Sequence, residues 1–83
     1  MPLFMDVHTI TGGVPAADAA EAHKADLAAQ AAHNVNYVRY WFDEESGRIF
    51  CLVEAPDAQS AMAVHRESHG LVADEIFKVT EGT

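Results

Sequence analysis

His65 and His69 stand four residues apart in the run His65-Arg66-Glu67-Ser68-His69. On a helix, side chains at that spacing lie on one face, close enough to chelate one metal ion. Arg66 occupies the place where the zinc-protease pattern HExxH needs glutamate, so that chemistry is excluded. The same spacing also serves packing. Ala58, Ala61, Met62, His65 and His69 form the apolar stripe of such a helix, with His65 as a hydrogen-bonded core residue and His69 as a cation at the helix C-terminus. Asp6 and His8 make a second pair: alternate residues of a strand share a face, which brings a carboxylate and an imidazole within reach of one ion or one proton. A polar network between two chains, completed by Arg39 and Glu54, competes with metal or ligand binding and with acid–base catalysis as the role of that pair.

The remaining reactive side chains say less. Cys51 is the single cysteine, so no intramolecular disulfide and no Cys-x-x-Cys site can form, and its strand pattern with Ile49 and Val53 makes it a core thiol of raised pKa. His23, with Asp26 three residues later, and His33 are expected on a solvated helix face as weak metal-capture groups. Asp43-Glu44-Glu45 is a solvated turn.

These residues are positioned by an alternating series of elements. Leu3 to Ile10 has the two-residue period of a strand, and Thr11-Gly12-Gly13 ends it. Pro15, Asp18 and Glu21 mark the start of an alanine-rich helix running to about His33, with Asn34 as its stop. Asn36 to Phe42 and Arg48 to Glu54 read as a hairpin around Asp43-Glu44-Glu45-Ser46-Gly47. Asp57 caps a second helix that reaches His69 and stops at Gly70, and Glu75 to Thr80 is a last strand. The order βαββαβ predicts an α+β, ferredoxin-like fold in one domain spanning residues 1–83.

In that topology two helices cover one sheet face. The patterns place Leu3, Met5, Val7, Val38, Tyr40, Phe42, Ile49, Cys51 and Val53 under the helices. Phe4, Asp6, His8, Tyr37, Arg39, Trp41, Arg48, Phe50, Leu52 and Glu54 fall on the other face. So many apolar groups on an open face imply a partner, and the expectation is a homodimer of the dimeric α/β-barrel type, with Asp6, His8, Arg39 and Glu54 near their symmetry mates.

The chain has 83 residues, 49 % hydrophobic and 22 % charged, the composition of a globular domain. Thirteen acidic against five basic side chains leave a formal charge of −8, which repels nucleic acid and anionic lipid and gathers cations. No apolar run is long enough to span a bilayer, and Met1 to Asp6 lacks the pattern of a signal peptide, so a cytoplasmic protein with no membrane partner is expected.

Four blocks carry a resemblance over nearly the whole chain: Met1 to Thr9, Tyr37-Val38-Arg39-Tyr40-Trp41, Phe50 to Ala58, and Val64 to Ile76. Together they resemble the small nickel-binding, nickel-responsive ferredoxin-like proteins of actinobacteria. The resemblance implies a homodimer that binds several nickel ions at its surface and acts as a metal sink in homeostasis, with no established catalytic activity. The ligand types agree with Ni²⁺, although the divalent affinity order puts Cu²⁺ above it and leaves Zn²⁺ as a further guest. Histidine must be deprotonated to ligate, so affinity should weaken below about pH 6.5.

The expected metal residues are therefore His65 and His69 as one site and Asp6 with His8 as another, on imidazoles reachable by a divalent cation. Two other classes remain: a small dimeric α/β-barrel enzyme, mono-oxygenase or isomerase, using His8 and Asp6 beneath Trp41, and an interaction module whose histidines are structural. A deep, dry pocket around His8 would favour the enzyme.

Overall fold

The computed structural model describes residues 1–82. Strand β1 (Leu3–Thr9) is followed by helix α1 (Ala16–Ala29), a 3-10 turn (Gln30–His33), strands β2 (Asn36–Asp43) and β3 (Arg48–Glu54), helix α2 (Ala58–Ser68) and strand β4 (Glu75–Val79). The sheet order is β2-β3-β1-β4, with every neighbouring pair antiparallel, so β1 and β3 are central and both helices cross the same face. This is an α+β structure consistent with a small ferredoxin-like fold.

The local signals act as expected. Asn34 takes the left-handed conformation (φ 55°) that closes the 3-10 turn, and Gly70 (φ 77°) follows α2. The Asp57 carboxylate accepts from the Ser60 N–H at 2.7 Å, capping α2. Gly47 is required by a close approach: at φ 75° a Cβ there would lie 2.1 Å from the Ile10 carbonyl oxygen. That contact docks the β2–β3 turn on the end of β1, where the Ile10 N–H donates to the Gly47 carbonyl at 2.8 Å.

The assignment of sheet faces is corrected by the structure. Phe4, Asp6 and His8 are the buried side of β1, beneath the helices, and Leu3, Met5 and Val7 are on the open side. Asp6 pairs with Cys51 and His8 with Ile49, so the polar pair shares the covered face with the core residues of β3. In β2 a register shift between Tyr37 and Arg39 sends Tyr37 inward and leaves Val38 exposed, while Tyr40, opposite Cys51, still faces the helices. One strand therefore contributes both tyrosines to the covered side, which strict alternation does not allow. The open face carries Leu3, Met5, Val7, Phe50 and Leu52 with the exposed rings of Trp41 and Phe77.

Candidate metal centre

His65 organises the interior. Its ring is fully buried on the inner face of α2, beside Ala61 and Val64, and both of its nitrogens face carboxylates. Nε2 lies 2.9 Å from Asp6 Oδ2 on β1, and Nδ1 lies 2.9 Å from Asp26 Oδ1 on α1. Carboxylate oxygens only accept, so His65 is held doubly protonated and donates to both. Burial by itself would push its pKa down, but the hydrogen bonds to Asp26 and Asp6 outweigh it and raise the pKa to about 9.

Other groups complete the cluster. His8 Nε2 is 3.0 Å from Asp6 Oδ1 and 3.2 Å from His65 Nε2. His69 Nε2, at the end of α2, is 3.2 Å from His65 Nδ1 and 3.1 Å from Asp26 Oδ1, and the Ser68 hydroxyl donates to the same Asp26 oxygen at 2.7 Å. The Tyr37 hydroxyl sits between Asp6 Oδ2 (3.1 Å) and the Ala61 carbonyl (2.9 Å). Burial favours the neutral acid for both aspartates, yet the hydrogen bonds from His65, joined by His8 for Asp6 and by His69 for Asp26, hold both carboxyls below the usual range. Burial pushes the Cys51 thiol up, and the neighbouring Asp6 charge adds to the shift.

Two sets of donor atoms thus meet at His65. Asp6, His8, Cys51 and His65 place one ligand atom each within 4.8 Å of one another, and Asp26, His65 and His69 do the same. A cavity of about 20 Å³ adjoins them, lined by His8, His23, Asp26, Cys51, His65 and His69 together with Tyr40 and Leu71. It has room for roughly one water-sized guest, whereas pockets for organic substrates run to roughly 300–1,000 Å³. His23 Nδ1 is buried without any hydrogen-bond partner and belongs to this lining. An unpartnered nitrogen, three further imidazoles, the Asp26 carboxylate and a thiol around an ion-sized space, with the Asp6 carboxylate bonded to His8 and His65 behind them, are a donor set that fits a divalent transition metal.

All four expected metal residues are brought together, though not as two sites on opposite faces. Asp6 and His8 lie under the helices, so they are not at an open-face two-fold axis with Arg39 and Glu54, which sit at the open groove beside Trp41. The expectation of reachable imidazoles is only partly met. His8 and His65 are enclosed and bonded, whereas the His69 side chain keeps 15 % of its surface in solvent and forms the cluster's outer edge. Asp26 departs furthest from expectation: in place of a solvated face shared with His23, it is 2 % exposed and central. Its spacing to His23 was the available signal, since two groups three apart on an otherwise alanine-rich helix mark one face. The sequence pattern puts Tyr37 and Cys51 in strands, but nothing in it shows that they border the polar cluster. On the exterior, His33 is paired with Glu67.

No helix among the described residues is long and apolar enough to cross a membrane. Residues 4–79 match the family described as nickel responsive protein SCO4226-like. The chain is similar to the crystal structure of SCO4226 from Streptomyces coelicolor A3(2), at 41 % identity, a TM-score of 0.88 and coverage of 98 % of this chain and 99 % of that one. Comparison with curated proteins gave no match.

Proposed function

The chain belongs to the SCO4226-like family of nickel-responsive proteins, and on that premise we propose that it binds nickel without catalysing a reaction, sequestering the ion for metal homeostasis. The observation that carries this reading is the convergence of Asp6, His8, Cys51, His65, Asp26 and His69 beside an ion-sized cavity. Imidazole and carboxylate groups suit Ni²⁺, and a thiol extends the set to Cu²⁺ and Zn²⁺ as competing guests. The −8 formal charge concentrates cations around the chain, and His69 is the outermost ligand through which an ion reaches the interior.

The same reading makes residues 1–83 one functional unit that pairs through its open sheet face in a barrel-type homodimer. Leu3, Met5, Val7, Phe50, Leu52, Trp41 and Phe77 form an apolar surface of the kind that marks an interface. A single buried free thiol agrees with a cytoplasmic setting, where thiols stay reduced.

Calorimetric titration of chelator-stripped protein with Ni²⁺ tests the proposal. The double variant His65→Ala, His69→Ala is expected to bind fewer ions per chain than the native protein. Unchanged stoichiometry would remove the His65 and His69 pair from the function and leave His8, His23 and His33 as the ligands.

A further inference from the structure

The two donor sets share one ring, and each nitrogen of that ring belongs to a different set. On the Nε2 side, His65 Nε2 stands 2.9 Å from Asp6 Oδ2 and 3.2 Å from His8 Nε2, and His8 Nε2 lies 3.0 Å from the other Asp6 oxygen, Oδ1. On the Nδ1 side, His65, Asp26 and His69 stand 2.9, 3.2 and 3.1 Å apart. Ligands at adjacent positions of an octahedral ion, with bonds of about 2.1 Å, are separated by that length times the square root of two, about 3.0 Å. The Nδ1 group, three single atoms, therefore already has the spacing of one face of an octahedron, and on the Nε2 side His65 stands at that spacing from both Asp6 Oδ2 and His8 Nε2.

Hydrogen bonding alone leaves these contacts oversubscribed. Each ring nitrogen of His65 offers one proton or one lone pair, yet each meets both a carboxylate oxygen and a second imidazole nitrogen within 3.2 Å. A cation satisfies several converging lone pairs at once.

We propose that the cluster is a dinuclear metal site in which His65, as an imidazolate, bridges two divalent ions: one held with Asp6, His8 and Cys51, the other with Asp26 and His69. The charges close. Two divalent ions bring four positive charges, and the Asp6 and Asp26 carboxylates, the Cys51 thiolate and the His65 imidazolate bring four negative ones, as a buried site requires. On loading, the two ring protons of His65 and the thiol proton of Cys51 leave to solvent and metal–ligand bonds replace them, with no change of oxidation state. Cys51 has a defined place in this arrangement, because its thiolate supplies the fourth negative charge that closes the total.

The inference rests on metal binding at this cluster, and the test separates the two ideas. Chelator-stripped full-length protein is loaded anaerobically with Co²⁺ alone and desalted. Bound metal per chain is then measured alongside the low-temperature electron paramagnetic resonance intensity per ion and the near-ultraviolet thiolate-to-cobalt absorption. The native chain should show reduced intensity per ion, from magnetic coupling through the bridge, together with the thiolate band. His69→Ala, altered only at the edge of the cluster, should retain one ion fewer, keep the band and recover full intensity per ion. Cys51→Ser should lose the band. Cobalt retained without coupling in the native chain, but diminished in His69→Ala, would overturn the bridge and leave cluster binding intact. Equal cobalt content in the native chain, His69→Ala and His65→Gln would overturn both.

Discussion

His65 Nε2 lies 2.9 Å from Asp6 Oδ2, although 59 residues separate the two in sequence. This contact fixes the polar side of α2 to the central strand β1, and it lies wholly inside the protein. Removing one partner of a buried pair leaves the other charge uncompensated, at a cost of about 3–5 kcal/mol. Asp6→Ala is therefore expected to lower stability by that amount in urea unfolding of the metal-free protein. Asp6→Asn, which keeps an acceptor oxygen and the shape but not the charge, should lose less. Equal losses in the two variants would show that the charge, which both remove, and not the cavity sets the whole cost.

The pH dependence of stability follows from the same residue. His65 binds its proton more tightly in the folded chain, with a pKa of about 9 against an ordinary 6.5. Its contribution is complete below pH 6.5 and is lost as pH rises through about 9, to a limit of about 3 kcal/mol. Asp6 and Asp26 act in the opposite sense: their depressed pKa values stabilise the fold above the ordinary carboxylate range and that stability disappears in acid. Metal-free protein should be most stable between about pH 4 and 6.5. Thermal midpoints that stay level from pH 6 to 9 would contradict the doubly protonated His65.

Much of this architecture was legible in the sequence, because β-branched and aromatic runs, Asn34, Gly70 and the Asp57 cap are local signals that do not depend on distant partners. The face assignment of β1 was not. Hydrophobicity favours burying Leu3, Met5 and Val7, yet Asp6 and His8 go inside because His65 and Tyr37 satisfy them there. The partners come from two other segments, β2 and α2, so no window of sequence contains the reason. The bulge after Tyr37 hid a second inward residue in the same way. His65, His69, His8 and Asp6 were identified individually, but their union into one cluster required the correct face. The central place of Asp26 is not legible, because an aspartate on an alanine-rich helix reads as solvated until its hydrogen-bond donors are known.

Metal affinity should also respond to the His65 proton. An ion must displace it, so the apparent nickel affinity is expected to rise as pH goes from 6.5 to 9 and not to level off near 6.5, as an ordinary histidine would dictate. Removing the Asp26 charge weakens the hydrogen bond that contributes most to the raised pKa and removes the charge that supports it. Asp26→Asn should therefore move the midpoint of this pH dependence toward lower pH. Titrations at several pH values in non-coordinating buffer measure both curves, and a native curve already flat above pH 6.5 would sever affinity from His65.

The open face makes a separate prediction, because the apolar groups that β1 does not bury under the helices are gathered there. Phe77 pairs with Met5, and Met5 with Leu52, so the three lie in one row across the sheet, next to Trp41 opposite Phe50. In a two-fold dimer each substitution occurs twice in the interface. A carboxylate placed there without a partner costs several kcal/mol, so Phe77→Glu should raise the dimer dissociation constant by at least roughly 10³-fold. Sedimentation velocity over a dilution series reads the change directly, and the lone Trp41 should shift its emission to longer wavelength as the face becomes wet. Because Phe77 is half exposed and lies outside the core cluster, the variant should unfold close to the native midpoint once both are compared as monomers. A native chain that sediments as a monomer at every concentration would leave the open face without its proposed partner, and the His65 cluster on the other side of the sheet would stand unaffected.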